Sequence, residues 1–248
     1  MPIPTFRENC STFNASGYNV TNEEPGMLNK LLGRRCFKKA AGIMSGGEVL
    51  FSVLLPRCQE VVAVDHSYTS LTAAYLKAIL LDQLGAKELQ RLLFESTYDQ
   101  CFPYLKTAAT SLPPELTTHV KLDSNGGSSR TFSYDMASLR REWFYFPEAA
   151  LERARRRLGN VTVIHGDLSD LSSVGQFSLL YVSNVTEHQN RDKRMPTFTD
   201  FAKLVAKNGL LLATSTSYGI VNRDGWELVK SLRGVRTSWA HNLYRKLD

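Results

Sequence analysis

Runs of apolar residues, each closed by small or polar ones, predict strands and helices in turn along most of this chain. The first run, Ala40-Ala41-Gly42-Ile43-Met44, breaks at Ser45-Gly46-Gly47-Glu48, passes into a helix-like Val49 to Leu55, and returns as Val61-Val62-Ala63-Val64 before Asp65. That is a strand, a small-residue turn, a helix and a second strand. Ser67 can cap a long helix from Leu71 to about Leu84, whose Leu71, Ala74, Tyr75, Ala78 and Ile79 stand at helical spacing. Gly85 punctuates it, and Glu88 to Phe94 read as a further helix.

Helical character resumes from Met136 to Leu158 and stops at Gly159-Asn160. The β-branched run Val161 to His165 then leads into Gly166-Asp167-Leu168. A strand over Phe177 to Val182 ends on Ser183-Asn184-Val185-Thr186-Glu187-His188. A helix from Phe198 to Lys207, a turn at Asn208-Gly209, a strand from Leu210 to Thr214, a helix near Trp226 to Leu232 and a last strand from Ala240 to Tyr244 complete the pattern. Sustained alternation of this kind predicts an α/β fold over residues 36–248, with a doubly wound, mostly parallel Rossmann-like sheet.

Two stretches stand outside the alternation. Residues 1–35 are polar and turn-rich up to Pro25, then give a short amphipathic helix over Met27 to Leu32 stopped by Gly33; they read as an N-terminal helical strap. Residues 99–135 carry Pro103, Pro113, Pro114 and the tract Asp123 to Ser129 with little sustained periodicity, and read as a lid insertion. Its Phe102, Tyr104, Phe132 and Tyr134 would then close over a substrate.

Composition narrows the classes. At 248 residues and 43% hydrophobic content the chain can bury a full core. Its net charge of +6 is partly gathered in Arg153 to Arg157, a run read as a solvated helix face, so no nucleic-acid partner is expected. The basic alternative, a nucleic-acid-binding protein using Arg140, Arg141 and Arg153 to Arg157, would bind with a steep salt dependence. Cys10, Cys36, Cys58 and Cys101 show neither paired spacing nor nearby histidines, so no metal is expected, and a reducing, cytoplasmic setting fits. No targeting segment is expected at the N-terminus, and no window reaches the ~18 apolar residues of a membrane span.

In doubly wound sheets, ligands lie outside the carboxyl ends of the strands. Topology therefore brings together Ser45 to Glu48, Asp65 to Ser67, Gly166 to Leu168 and Ser183 to His188. An acid about 20 residues after a small-residue turn suits a ribose diol. Ser-Gly-Gly-Glu is not the glycine pattern that cradles a diphosphate, and Glu48 would put a carboxylate where the phosphates should lie. A nucleoside without phosphates meets that requirement, and S-adenosylmethionine is one. Asp65 would take its ribose, Asp167 its adenine amino group, and Ser45, Gly46 and Gly47 its methionine part, with His66, Ser67 and Leu168 lining the nucleoside. Each has a plainer reading, as a helix cap or a turn residue.

Several of these segments resemble a known family. Ile43-Met44-Ser45-Gly46-Gly47-Glu48 with Leu54-Leu55-Pro56, Val62-Ala63-Val64-Asp65, Leu76-Lys77-Ala78-Ile79 and Ser183-Asn184-Val185-Thr186-Glu187 resemble the bacterial betaine-lipid synthesis enzymes. Asn22-Glu23-Glu24-Pro25 resembles a degenerate form of that family's Trp-Glu-Asp-Pro segment. Those enzymes transfer the 3-amino-3-carboxypropyl group of S-adenosylmethionine to diacylglycerol on a class I methyltransferase-like fold. The chain departs from the family pattern at Asn22 and at His66-Ser67, and it is shorter.

The resemblance implies attack on the γ-carbon of the methionine moiety, with release of 5'-methylthioadenosine. The acceptor is then a small or lipid-like molecule, or S-adenosylmethionine's own amine or carboxylate in a cyclisation or elimination. Ser183, Asn184 and Glu187 would position the reacting end, with Glu187 or His188 as general base. Tyr18 or Tyr134 would lie against the sulfonium. Methyl transfer to a small molecule is the alternative on the same fold.

Overall fold

Each apolar run described above becomes a strand or helix around one sheet. The computed structural model describes residues 3–8, 24–96, 98–120, 148–183, 198–215, 225–234 and 239–247. In chain order they form β1 (Thr5–Glu8), α1 (Pro25–Leu32), β2 (Phe37–Ile43), a π-helical segment (Leu50–Leu54), β3 (Cys58–Asp65), α2 (Tyr68–Leu84), α3 (Ala86–Glu95), α4 (Tyr98–Ala109) and α5 (Pro114–Thr117). There follow α6 (Glu148–Arg155), β4 (Val161–His165), a 3-10 helix (Leu168–Ser173), β5 (Phe177–Ser183), α7 (Phe198–Leu204), β6 (Val205–Ser215), β7 (Trp226–Arg233) and β8 (Ala240–Lys246).

Among the described residues eight strands form one sheet in the order β1-β4-β3-β2-β5-β6-β8-β7. The pairs from β1 to β6 are parallel, whereas β8 runs antiparallel to both β6 and β7. Strand order reverses between β2 and β5, so the topological switch point lies there. Alternate residues feed two cores. Ala40, Val61, Ala63, Leu179 and Leu212 pack with α1, the π-helical segment and α2, while Ala41, Val62, Val64, Leu180 and Leu211 pack with α7 on the other face.

Local chemistry sets the boundaries of the helices around the site. Ser67 caps α2, its hydroxyl accepting the Ser70 N–H at 3.4 Å, and Gly85 ends it at φ 81°. Helix α2 is buried almost all round its first three turns, as its lack of a polar stripe requires. Arg155 donates to the Asp82 carbonyl near the end of α2 at 3.2 and 2.9 Å, and Arg157 donates to the carbonyls of Leu55 and Cys58, both at 3.1 Å. Part of the arginine run thus serves internal carbonyls.

The structure differs from the sequence reading in four places. Within residues 99–135, read as lacking sustained periodicity, 99–109 and 114–117 are helical as part of α4 and as α5, with Pro103 inside α4; the prolines hide the period. Trp226 to Arg233 is a strand, because pairing with β8 outweighs a local pattern that fits either period. The helix predicted to Lys207 ends at Leu204, and β6 begins at Val205, running through Asn208-Gly209 with Asn208 at φ 59°. Finally, Thr5–Glu8 adds a parallel edge strand beside β4, so the N-terminal stretch includes sheet as well as the expected helix α1.

Candidate functional site at the carboxyl edge of the sheet

Asp65, the last residue of β3, organises the switch-point edge. Its Oδ2 accepts the Ser45 N–H and its Oδ1 the Ser67 N–H, both at 2.9 Å. One carboxylate thereby ties the turn after β2 to the start of α2. Burial pushes the Asp65 carboxyl up to about 7, against the lowering effect of the Ser67, Ser45 and His66 amides. Ser45, in the turn two residues past β2, and Ser183, the last residue of β5, are both left-handed, at φ 47° and 54°. Non-glycine residues seldom hold that conformation, and such strain gathers at functional sites.

Gly46 and Gly47 follow with their backbone close to α2. At φ 95°, Gly47 has no room for a side chain, since a Cβ there would lie 2.7 Å from Phe51 and 2.9 Å from Ala74. Lys77 reaches in from α2, donating to the Gly46 carbonyl at 2.7 Å and pairing with the Glu48 carboxylate. Both side chains are buried. Glu48 does stand at the helix start, as the sequence argument had it; what that argument lacked is Lys77, which balances its charge. A lysine set in the apolar stretch Leu76 to Leu81 was the available signal.

Just past the end of β4, Asp167 caps the 3-10 helix. Its Oδ1 accepts the Ser169 N–H at 2.7 Å and the Ser169 hydroxyl, while its own N–H donates to Asp170 at 2.8 Å. Leu168 is buried behind it. The His66 carbonyl lies 3.3 Å from His165 Nε2. Tyr68 is stacked between His119 and His165, with ring centroids 3.9 and 4.0 Å away, and its hydroxyl donates to Glu8 at 2.6 Å. Burial, then the nearby His165, hold the His119 imidazole below its ordinary value.

Thus Ser45, Gly46, Gly47, Asp65, His66, Ser67, Asp167, Leu168 and Ser183 all occur at the carboxyl edges of β2, β3, β4 and β5, as the strand pattern required. Tyr18, Tyr134, Asn184, Glu187 and His188 lie outside the described residues, as do Phe132, Arg140 and Arg141. Sequence reasoning missed Lys77, Tyr68, His165 and two further residues of this edge, Thr214 and His241. A cavity of about 320 Å³ lined by Arg35, Phe37, Ser178, Lys207 and Arg245 opens at the opposite, amino-terminal edge and is no part of this site. Among the described residues, no group of three His, Cys, Asp or Glu is placed to hold a metal ion, and no helix is long and apolar enough to cross a membrane.

A mostly parallel sheet with an antiparallel strand set between its last two neighbours, and a switch-point edge of small residues and a strand-end acid, defines a class I methyltransferase-like α/β fold. The rRNA methyltransferase aviRa from Streptomyces viridochromogenes is similar over 93% of this chain and 88% of its own length, with 13% identity and a TM-score of 0.50. The N-methyltransferase NodS from Bradyrhizobium japonicum WM9, solved with S-adenosyl-l-homocysteine, is similar over 90% of this chain and 86% of its own, with 10% identity and a TM-score of 0.45. At such identities the likeness concerns the fold alone. No protein-family model matches the sequence, and no curated protein matches it.

Proposed function

We propose that the chain is an S-adenosylmethionine-dependent enzyme that directs attack to the γ-carbon of the methionine moiety, moving the 3-amino-3-carboxypropyl group and releasing 5'-methylthioadenosine. The observation that carries the nucleoside part is the Asp65 carboxylate, buried at the end of β3 beside β2 and bridging the Ser45 and Ser67 amides. Each carboxylate oxygen has lone pairs beyond those used by the amides, so a ribose diol can be added to the same group. Gly46 and Gly47 keep the backbone bare beside it, and Asp167 with Leu168 supplies a polar and an apolar contact for the base.

S-adenosylmethionine supplies an activated carbon and a neutral thioether leaving group, so the protein's task is to hold an acceptor in line with one carbon. An acceptor oxygen or nitrogen bonds to the γ-carbon, the carbon–sulfur bond breaks, and its electron pair leaves with sulfur. The acceptor's proton passes to a base, for which Glu187 is the candidate. The resemblance around Ser45, Asp65 and Ser183-Asn184 to betaine-lipid synthesis enzymes supports the γ-carbon. The acceptor is a small or lipid-like molecule, or the amino acid portion itself.

Methyl transfer is the second reading, favoured by the likeness in fold to the rRNA methyltransferase aviRa. Incubating the protein with S-adenosylmethionine, alone and with diacylglycerol, and separating the products chromatographically distinguishes the two. 5'-Methylthioadenosine is the expected product. S-adenosylhomocysteine without it would replace this reading by methyl transfer.

A further inference from the structure

Beyond Ser183 the carboxyl edge continues onto β6 and β8 as a row of buried polar side chains. Ala213 of β6 pairs with Ser183 of β5, and the next residue, Thr214, stands opposite His241 of β8. Thr214 and His241 are buried at 0% exposure, with Thr214 Oγ1 3.1 Å from His241 Nδ1. Directly opposed residues share a face of the sheet. Leu212 and Leu243, which alternate with them on that face, pack in one cluster with Leu28, Leu31 and Leu32 of α1. His241 therefore lies on the side of the sheet covered by α1, whose N-cap is the buried Glu24.

His241 Nε2 has no hydrogen-bonding partner among the described residues. Buried polar atoms in native proteins are almost always satisfied, and an exception calls for a ligand, a water or a functional role. Burial pushes the His241 imidazole down to about 4, and the Glu24 charge works against that shift. At neutral pH the ring is therefore uncharged. With the proton on Nδ1, shared with Thr214, Nε2 presents a lone pair. A neutral imidazole acceptor within the field of a buried carboxylate suits a group that donates a hydrogen bond and carries positive charge.

We propose that Glu24, His241 and Thr214 form an ammonium-binding subsite next to the reacting end of the site, with His241 Nε2 accepting from the ammonium, Glu24 balancing its charge and Thr214 orienting the ring. The inference rests on the reading of the edge as a site for a sulfonium amino acid nucleoside. The ammonium belongs either to the amino acid portion of that nucleoside or to a separate amine acceptor.

Calorimetric titration with S-adenosylhomocysteine, which carries the amino acid portion, and with 5'-methylthioadenosine, which lacks it, tests the subsite in the whole protein and in Glu24→Gln and His241→Phe. If the ammonium is the nucleoside's own, both variants bind S-adenosylhomocysteine about tenfold more weakly, as expected for loss of a hydrogen bond to a charged group, while 5'-methylthioadenosine binds as before. If it belongs to an acceptor, neither nucleoside is affected, and 2-aminoethanol binds the S-adenosylhomocysteine-saturated wild type but neither variant. The near-isosteric Glu24→Gln keeps the test available should His241→Phe fail to fold. Equal losses for both nucleosides in folded variants, or no change for any of the three probes, would overturn the subsite. A wild type that binds neither nucleoside overturns the reading of the whole edge, which is a different result.

Discussion

Lys77 of α2 donates to the Gly46 carbonyl at 2.7 Å and pairs with Glu48, so the turn after the first central strand is held by a buried cation from the neighbouring helix. Breaking a buried pair leaves one charge uncompensated, which costs far more than the pair itself contributes. Lys77→Met should lower stability by about 3–5 kcal/mol, measured from denaturant midpoints. Adding Glu48→Gln to it should recover much of the loss. A double variant as unstable as the single one would show that Lys77 acts through the Gly46 carbonyl alone.

Asp65 makes stability depend on pH in a defined direction. Its carboxyl titrates near 7 when folded and near 4 when unfolded, so between those values the folded state holds more protons and stability falls as pH rises. The contribution is complete below about pH 4 and lost as pH passes through about 7. Thermal midpoints of the wild type should decline from pH 5 to pH 8 more steeply than those of Asp65→Asn. The same replacement should weaken nucleoside binding by on the order of 1.5–3 kcal/mol; unchanged calorimetric affinity would leave Asp65 as a tie between the Ser45 and Ser67 amides and nothing more.

Gly47 gives a steric test of the bare backbone. Gly47→Ala combines a positive φ with contacts of 2.7 and 2.9 Å to Phe51 and Ala74. It should destabilise the fold by about 2 kcal/mol or more and, in the fraction that folds, displace the Ser45 turn. A stable variant with unaltered nucleoside affinity would remove the turn's close approach to α2 from the argument.

The cysteines should differ in reactivity. Burial pushes the Cys58 thiol up to about 12, whereas Cys36 is exposed. Iodoacetamide at pH 8 followed by peptide mapping should label Cys36 and spare Cys58 until the protein is unfolded. Labelling of native Cys58 would mean that β3 opens locally.

Strand positions were legible because Ala40 to Met44, Val61 to Val64, Val161 to His165 and Phe177 to Val182 are apolar runs of strand length closed by small or acidic residues. The cap at Ser67 and the stop at Gly33 were legible for the same local reason. Trp226 to Arg233 was not, since a sequence half apolar and half polar takes its conformation from the partner strand, and that partner is β8. Lys77 and His241 escaped for another reason. Lys77 is a lone charge in the apolar stretch Leu76 to Leu81 and His241 one of several polar residues of β8, and whether either is solvated or a buried partner depends on what packs across from it: Glu48 in one case, Thr214 in the other.

Glu8 stands at the end of β1 and receives the Tyr68 hydroxyl, while β1 itself covers the outer side of β4. Removing the first eight residues would therefore do more than trim a tail. It would bare the backbone donors and acceptors of Val161–His165 as a sheet edge, the kind of surface on which other chains add strands and aggregates begin. For anyone preparing the protein, the safe place for a cut or a fusion joint is outside Thr5–Glu8, since those four residues both close the sheet and hold the histidine–tyrosine stack against it.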